Sequence, residues 1–286
     1  ALFRCARALS TQIDYIMASI IGVRREDKSK WERRVSVTPR LAKMLVDSGV
    51  RVIVQPCKKR VFTDKEYRDV GAEIADDLSP ANTIFGVKEV PAMQIVNDKT
   101  YVFFSHTIKA QAYNMEMLDA ILKRNVRLID YEVITTDGKR GSPRTVAFGR
   151  YAGLAGAVDF MRGLGEFLLA RGMSTPFLHG SSSYMYPDLD AAMKAVKALG
   201  EEITKVGLPA ELCPFTMVCT GHGNVSRGAQ EILRLLPHKQ VSPWEFKEIV
   251  EKGKRGELSD EEMYHTVYIA EAEPHHMVQK LGREVD

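Results

Sequence analysis

Short apolar runs alternate with amphipathic stretches along the first half of the chain. The runs are rich in β-branched residues, which is typical of buried strands, and the stretches between them place apolar residues at helical spacing. Thr38 and Pro39 have the chemistry of a helix N-cap and first helical position, and Gly49 closes that helix. Further helices are predicted at 64–70 and 115–124, and strands at 19–23, 50–55, 83–87, 101–104 and 126–130. This alternation predicts a parallel sheet with helices on its faces.

The pattern changes at Tyr151. Residues 151–170 are rich in Gly and Ala and apolar at helical spacing, which predicts a buried helix packed closely against another element. An amphipathic helix is predicted at 189–206, and a second α/β unit begins at Phe215. We therefore predict an α/β protein of two Rossmann-like lobes with parallel sheets, of which the second is incomplete.

The predicted organisation has four parts. The first is a targeting segment, the second an α/β substrate domain, the third a pair of connecting helices and the fourth the first half of a dinucleotide-binding domain. Their boundaries are 1–17, 18–150, 151–211 and 212–286.

Composition and charge exclude several classes of protein. The 40 Lys and Arg against 37 Asp and Glu give a net charge of +3, which argues against a nucleic-acid binder that works by bulk charge. No apolar run reaches the ~18–20 residues that a membrane-spanning helix needs. The four cysteines form no CxxC pair and no zinc spacing, so we expect no metal site and a reducing compartment.

The beginning of the chain has the composition of a mitochondrial transit segment. It carries Arg4 and Arg7, hydroxyls at Ser10 and Thr11, and no acid among its first 13 residues. The alternative is an unstructured start, because Met17 can itself be an initiator. We predict a mitochondrial location, with a cytoplasmic one as the alternative.

A glycine-rich turn follows the apolar run 215–220. Gly221 would make a tight turn, and Gly223 would let the backbone approach a pyrophosphate at the start of the helix that follows. The third position of this dinucleotide fingerprint carries Ser226, which is small but not glycine. Glycines also occur at such turns for geometry alone, so the flanking strand and helix carry the prediction.

The acid that usually binds the free ribose hydroxyl, ~20 residues after the turn, is missing. Ser242 stands 21 residues after Gly221, and the first carboxylate is Glu245. Lys239 and His238 are cationic or titratable neighbours of that position. The sequence therefore favours a 2′-phosphate, which predicts NADP(H) as the cofactor.

Charged clusters follow three predicted strands or loops of the first half. Glu32 and Arg34 end a charged loop, Lys88 and Glu89 follow one apolar strand, and His106 follows another. The carboxyl ends of parallel strands are where ligands bind in open α/β sheets. Each cluster taken alone is better explained as polar loop surface, and the alternative for Lys88 is a lysine that snorkels to solvent.

Eight motifs taken together resemble one family. They lie at 24–27, 31–34, 38–39, 86–88, 101–111, 127–132, 144–149 and 151–156. The chain resembles the lysine-ketoglutarate reductase domain of bifunctional aminoadipic semialdehyde synthase. That domain is related to lysine-forming saccharopine dehydrogenase and, more distantly, to alanine dehydrogenase and transhydrogenase. The resemblance runs from about residue 19 to about residue 278.

The resemblance implies a reductive condensation of L-lysine and 2-oxoglutarate to saccharopine with a reduced nicotinamide. It implies that Lys88 and His106 are an acid–base pair, which suits groups that handle protons near pH 7. Arg34 would hold a substrate carboxylate, Glu32 would orient Arg34, and two acids would tune the charge of the site. The residues matched to substrate-binding positions are Glu32, Arg34, Glu89 and Glu132, and those matched to cofactor binding are Gly221, Gly223, Ser226 and Ser242. Lys109 and Arg144 lie in the shared motifs without a firm role.

The chain departs from the family pattern at its end. It stops at Asp286, after one strand–helix–strand of the nucleotide domain, whereas a dinucleotide site spans two such halves. We therefore expect poor turnover by this chain alone, and association into dimers or larger homo-oligomers through exposed sheet edges. Two alternatives stay open: a truncated non-catalytic or regulatory homologue, and an alanine dehydrogenase-like enzyme.

Overall fold

The computed structural model describes residues 19–278, and the chain separates into two units, residues 1–147 and 148–286. The predicted targeting segment lies outside the described residues. Each unit has a parallel sheet of its own, as the alternating pattern predicts.

Six parallel strands form the sheet of the first unit, in the order β3-β2-β1-β4-β5-β6. Its elements are β1 (Ile20–Val23), α1 (Pro39–Asp47), β2 (Arg51–Val54), α2 (Asp64–Asp69), β3 (Glu73–Ile74), β4 (Thr83–Phe85), β5 (Thr100–Phe103), α3 (Met115–Lys123) and β6 (Arg127–Asp130). The order reverses between β1 and β4, and ligands bind outside the carboxyl ends of strands at such a switch point.

Capping residues mark where the helices of this unit begin. The Thr38 hydroxyl caps α1 by accepting the Leu41 N–H at 3.4 Å, and Pro39 stands in the first turn. Thr63 and Glu66 form a capping box at α2. Apolar side chains of the strands pack into two clusters, one around Phe103 and one around buried valines of β1 and β2.

The second unit has a three-stranded parallel sheet in the order β7-β9-β8. Its elements are α4 (Gly149–Leu169), α5 (Leu189–Val206), β7 (Phe215–Thr220), α6 (Asn224–Leu233), β8 (His238–Gln240), α7 (Glu245–Arg255), α8 (Asp260–Tyr264), β9 (Val267–Ala272) and α9 (Pro274–Met277). Strand β9, the last of the three along the chain, lies between the two that precede it.

Helices α4 and α6 pack against each other with glycines at the contact. A Cβ added to Gly153 of α4 would lie 2.7 Å from Ala229 N and closer still to Val225 O, and one added to Gly228 of α6 would overlap the Arg150 carbonyl. The Gly- and Ala-rich helix predicted at 151–170 therefore packs into the core of the second unit, with α5 and the sheet.

Candidate functional site

Charged side chains collect at the carboxyl edge of the first sheet. They come from the segments that follow β1, β4, β5 and β6, which are neighbours in the sheet. Because these strands are parallel, their carboxyl ends meet at one edge. The clusters that lie apart in the sequence are thus brought to one edge of the first sheet.

Glu32 holds Arg34 in a two-point ion pair. The Arg34 Nε and Nη2 atoms donate to the two Glu32 oxygens at 2.8 and 2.6 Å, and the Arg34 backbone N–H adds a third bond at 3.0 Å. Burial alone would raise the pKa of Glu32, but the bonds from Arg34 and the charge of Lys88 lower it overall. Glu32 is therefore an ionised carboxylate that fixes the direction of a half-exposed guanidinium.

His106 is held by Glu89. Its Nδ1 atom lies 2.7 Å from Glu89 Oε1. Burial acts to raise the pKa of Glu89, but hydrogen bonds from its own backbone N–H and from His106 lower it overall. An ionised carboxylate only accepts, so Nδ1 carries a hydrogen, and in the neutral form of the ring Nε2 is left as an acceptor.

The loop that carries His106 is itself fixed. His106 has a left-handed backbone with φ of 55°. Just before it, the Ser105 hydroxyl donates to Asp130 at 2.5 Å, and the Asn114 amide donates to the Ser105 carbonyl at 3.0 Å. The sequence around His106 contains no signal that predicts this left-handed turn.

Glu132 forms ion pairs with two basic side chains to which the sequence analysis assigns no role. Lys109 lies 2.8 Å and Arg144 3.2 Å from Glu132 Oε1. The side chain is only 5% exposed, and its Oε2 has no hydrogen-bond partner within residues 19–278. Burial opposes ionisation, yet Lys109, His106 and Arg144 lower the pKa of Glu132 overall. A buried, ionised oxygen without a donor suits an N–H of a bound ligand.

Lys88 follows β4 at the same edge of the sheet. Its backbone N–H donates to Glu26 Oε2 at 2.9 Å, and its charge reaches Glu32. Sequence reasoning missed Glu26, although its place directly after the first strand could have indicated it. Tyr131 was missed as well; burial raises its pKa to about 12, with a further contribution from the charge of Glu26.

The glycine turn of the second unit joins β7 to α6. Gly221 has φ of +76°, and its N–H donates to the Ala272 carbonyl at 2.7 Å. Gly223 precedes the first residue of α6, and a Cβ at either glycine would meet nothing within 4 Å. The open backbone in front of a helix of 10 residues suits the pyrophosphate of a dinucleotide.

Ser226 lies in the first turn of α6, where the third residue of the fingerprint is expected, and Ser242 lies beyond β8. Ser226 is buried in α6, where its hydroxyl accepts from the Gln230 amide at 3.1 Å. Ser242 follows β8, which β9 separates from β7, and its N–H donates to Glu245. The strand order thus places β9 between the strand before the glycine turn and the strand before Ser242.

A polar pocket of about 390 Å³ lies beside the glycine turn. Its lining residues are His222, Arg227, Gln230, Glu231, Arg234 and Glu271. Glu231 is neutralised by Arg150, whose Nε and Nη2 atoms lie 2.7 and 2.5 Å from it. Lys239, which the sequence suggested as a phosphate partner, instead lies 3.4 Å from Glu262.

Within the described residues, no helix combines the length and the apolar character that crossing a membrane requires. Lys88, His106, Glu32 and Glu132 thus share one sheet edge of the first unit, and the glycines share a turn of the second.

Sequence comparisons place this arrangement among known proteins. Residues 22–155 match the family described as alanine dehydrogenase/PNT, N-terminal domain. Alpha-aminoadipic semialdehyde synthase of Arabidopsis thaliana is 48% identical over 242 residues, which cover 82% of this chain and 22% of the relative. The mitochondrial synthase of Bos taurus is 43% identical over 268 residues, covering 94% of this chain and 28% of the relative. The chain thus spans about a quarter of these synthases.

Two further comparisons reach outside the synthases. Saccharopine dehydrogenase [NAD(+), L-lysine-forming] of Yarrowia lipolytica is 27% identical over 263 residues, which cover 87% of this chain and 67% of the relative. The structure of an L-alanine dehydrogenase aligns with a TM-score of 0.50 at 17% identity, covering 88% of this chain and 60% of that one, and shares the fold. Residues 22–155 thus belong to the alanine dehydrogenase/PNT N-terminal domain family, and the chain is a relative of the aminoadipic semialdehyde synthases and the lysine-forming saccharopine dehydrogenases.

Proposed function

We propose that this chain is the lysine-ketoglutarate reductase part of an oxidoreductase that condenses L-lysine with 2-oxoglutarate to saccharopine. The observation that carries the proposal is the His106–Glu89 pair beside Lys88 at the switch edge of the first sheet. Relatives named for saccharopine and for aminoadipic semialdehyde support the choice of substrates.

Carboxylate recognition is assigned to the cations of the edge. Arg34 offers a planar fork whose direction Glu32 fixes, which suits a carboxylate of 2-oxoglutarate or lysine. Lys109 and Arg144 both form ion pairs with Glu132 Oε1. The other oxygen, Glu132 Oε2, has no hydrogen-bond partner within residues 19–278 and can accept an N–H of the substrate amine. Both substrates are thereby held at the same edge.

Proton handling is assigned to Lys88 and His106. The lysine ε-ammonium must lose a proton before its nitrogen attacks the keto carbon, and the Nε2 of a neutral His106 can take it. The resulting carbinolamine must lose water, which requires a proton on the departing hydroxyl, and a charged Lys88 can give it. A bound nicotinamide supplies the hydride that makes the overall reaction a reduction. Glu89 holds the imidazole in the tautomer that this requires.

We assign the cofactor to the turn at Gly221 and Gly223, and propose NADP(H). The support is the pocket beside the turn, which Arg227 and Arg234 line together with Glu271 and with a Glu231 that Arg150 already pairs. Guanidinium groups bind phosphate with two parallel hydrogen bonds. The Yarrowia relative is named for NAD(+), so the two cofactors must be compared directly.

A mitochondrial location is part of the proposal. It is supported by the composition of the first residues and by the name of the Bos taurus relative. Import of a fluorescent protein fused behind residues 1–18 tests it, and a diffuse cytoplasmic signal would contradict it.

The decisive experiment follows oxidation of NADPH by the full-length polypeptide that contains this chain. Lysine with 2-oxoglutarate should support turnover, and pyruvate with ammonia should not; the opposite result would favour an alanine dehydrogenase-like enzyme. Lys88→Met and His106→Gln should each lower kcat by ~10²–10⁴-fold, the usual worth of a general acid or base. Binding of nicotinamide without turnover of either pair would indicate a non-catalytic homologue.

Matched controls exist in the same chain. His179 lies 2.7 Å from Glu202, the same geometry as His106 on Glu89, but it is exposed in the second unit. Lys65 is an exposed lysine on α2. His179→Gln and Lys65→Met should leave kcat near the wild-type value.

A further inference from the structure

Glu26 lies just after β1, at the point where the strand order of the first sheet reverses. Only 4% of it is exposed. One carboxylate oxygen accepts the Val87 N–H at 2.7 Å, and the other accepts the Lys88 N–H at 2.9 Å. We infer that Glu26 is the positioning residue of Lys88, because its carboxylate ties the loop after β4 to β1 and fixes where Lys88 leaves the sheet. The role of Lys88 in turnover rests on the proposed function, whereas the tie does not.

The loop after β4 is held from two sides. On the β5 side, the Gly86 N–H donates to the Val102 carbonyl at 2.9 Å and the Phe104 N–H to the Val87 carbonyl at 3.0 Å. On the β1 side, the two bonds to Glu26 hold the next two amides. Without Glu26, the amide of buried Val87 would lose its acceptor, and an unsatisfied buried N–H is costly.

Gly86 gives Glu26 the space for this contact. A Cβ at Gly86 would lie 3.2 Å from the Arg24 Cδ atom and 3.5 Å from Glu26 Oε1. Arg24 is buried as well, and its own N–H donates to the Phe85 carbonyl at 2.9 Å. The β1 segment therefore lies directly along the end of β4, with the Glu26 carboxylate aimed at the two amides before the Lys88 side chain.

Burial makes the ionised form of Glu26 energetically unfavourable. Burial raises its pKa, although the two amides and the Arg24 charge act to lower it. A glutamine at this position removes the buried charge but offers one acceptor to two N–H groups, and its own NH₂ faces the second. Glu26→Gln should therefore release at least one of the two amides without a matching loss of fold, since the relief of desolvation opposes the lost bond.

The test compares Glu26→Gln with Glu73→Gln in the full-length polypeptide. Glu73 is an exposed acid on β3 that pairs with Arg51, so its substitution controls for loss of an acidic charge. Hydrogen-exchange mass spectrometry of peptides covering residues 83–90 should show exchange at least about tenfold faster in Glu26→Gln only, since a lost bond of ~1.4 kcal/mol is a factor of ten. If the glutamine variant does not fold, Glu26→Asp keeps the charge on a shorter side chain and should show an intermediate rate. Unchanged exchange overturns the inference.

Turnover separates positioning from general structural damage. Glu26→Gln should lower kcat by roughly 10- to 100-fold, as expected for a misplaced reacting group, with KM for both substrates within about twofold of the wild-type value. In a Lys88→Met background the same substitution should cost nothing further. An equal loss in both backgrounds would show a structural role and overturn the assignment. Absence of turnover in the wild type would refute the proposed function, while hydrogen exchange still decides the tie.

Discussion

Two glycines of α4 should respond in opposite directions to the same substitution. A Cβ at Gly153 would meet the backbone of Val225 and Ala229 in α6, and backbone atoms cannot turn aside as a side chain can. Gly163 lies in the same helix, is exposed, and a Cβ there would meet nothing within 4 Å. Comparing the alanine variants of Gly153 and Gly163 therefore separates the effect of the α4–α6 contact from the effect of helix propensity.

The magnitudes follow from these contacts. Alanine stabilises a helix interior relative to glycine by about 1 kcal/mol, so Gly163→Ala should raise the free energy of unfolding by that amount. Overpacking costs ~1–3 kcal/mol and more where the backbone must move, and Gly153→Ala lies at the upper end because the overlap is with main chain. After the propensity gain, we expect a net loss of about 2 kcal/mol for Gly153→Ala.

Tryptophan fluorescence provides the assay. The chain has two tryptophans, Trp31 in the first unit and Trp244 in the second. In a Trp31→Phe background, urea denaturation followed by Trp244 reports the second unit alone. If Gly153→Ala unfolds at the same urea concentration as Gly163→Ala, the close approach of α4 and α6 is wrong.

Three further predictions concern the two sites. Folding lowers the pKa of Glu89 from its ordinary value of 4.5. The ionised carboxylate therefore stabilises the fold above pH 4.5, and this stabilisation is lost as the pH falls through the lower pKa of the folded state. Glu89→Gln should remove that dependence and flatten the acid side of a plot of unfolding free energy against pH. Arg227→Gln should lower kcat/KM for NADPH more than for NADH, and equal losses would remove Arg227 from phosphate recognition. The double variant Lys88→Met with His106→Gln should lose less than the product of the single losses, and strictly multiplicative losses would mean that the two act independently.

The parallel sheets could be predicted because their signal is local. Apolar runs rich in β-branched residues and capping chemistry such as that of Thr38 and Pro39 act within a few residues, and the elements lie close to their predicted bounds. The strand order of the second sheet could not be predicted, because pairing between distant strands leaves no periodic trace. The position of β9 between β7 and β8 is therefore known only from the structure.

In the candidate site, too, some features could be predicted from the sequence and others could not. Strand ends indicated that Lys88, Glu89 and His106 share an edge, since that follows from parallel strands alone. The bond from Lys109 to Glu132 and the left-handed backbone of His106 depend on how loops close over the sheet. No spacing rule carries that information.

The strand order of the second unit also dictates when its sheet can form. Phe215 of β7 and His238 of β8 both pair with Val267 of β9, so the central strand is the last of the three along the chain. On the ribosome, β7 and β8 must wait without strand partners from their own sheet until β9 emerges. The first sheet has the opposite order, because its central β1 comes first and β2 can pair with it at once. A nascent chain stalled before Val267 should therefore contain a folded first unit followed by a protease-sensitive glycine turn.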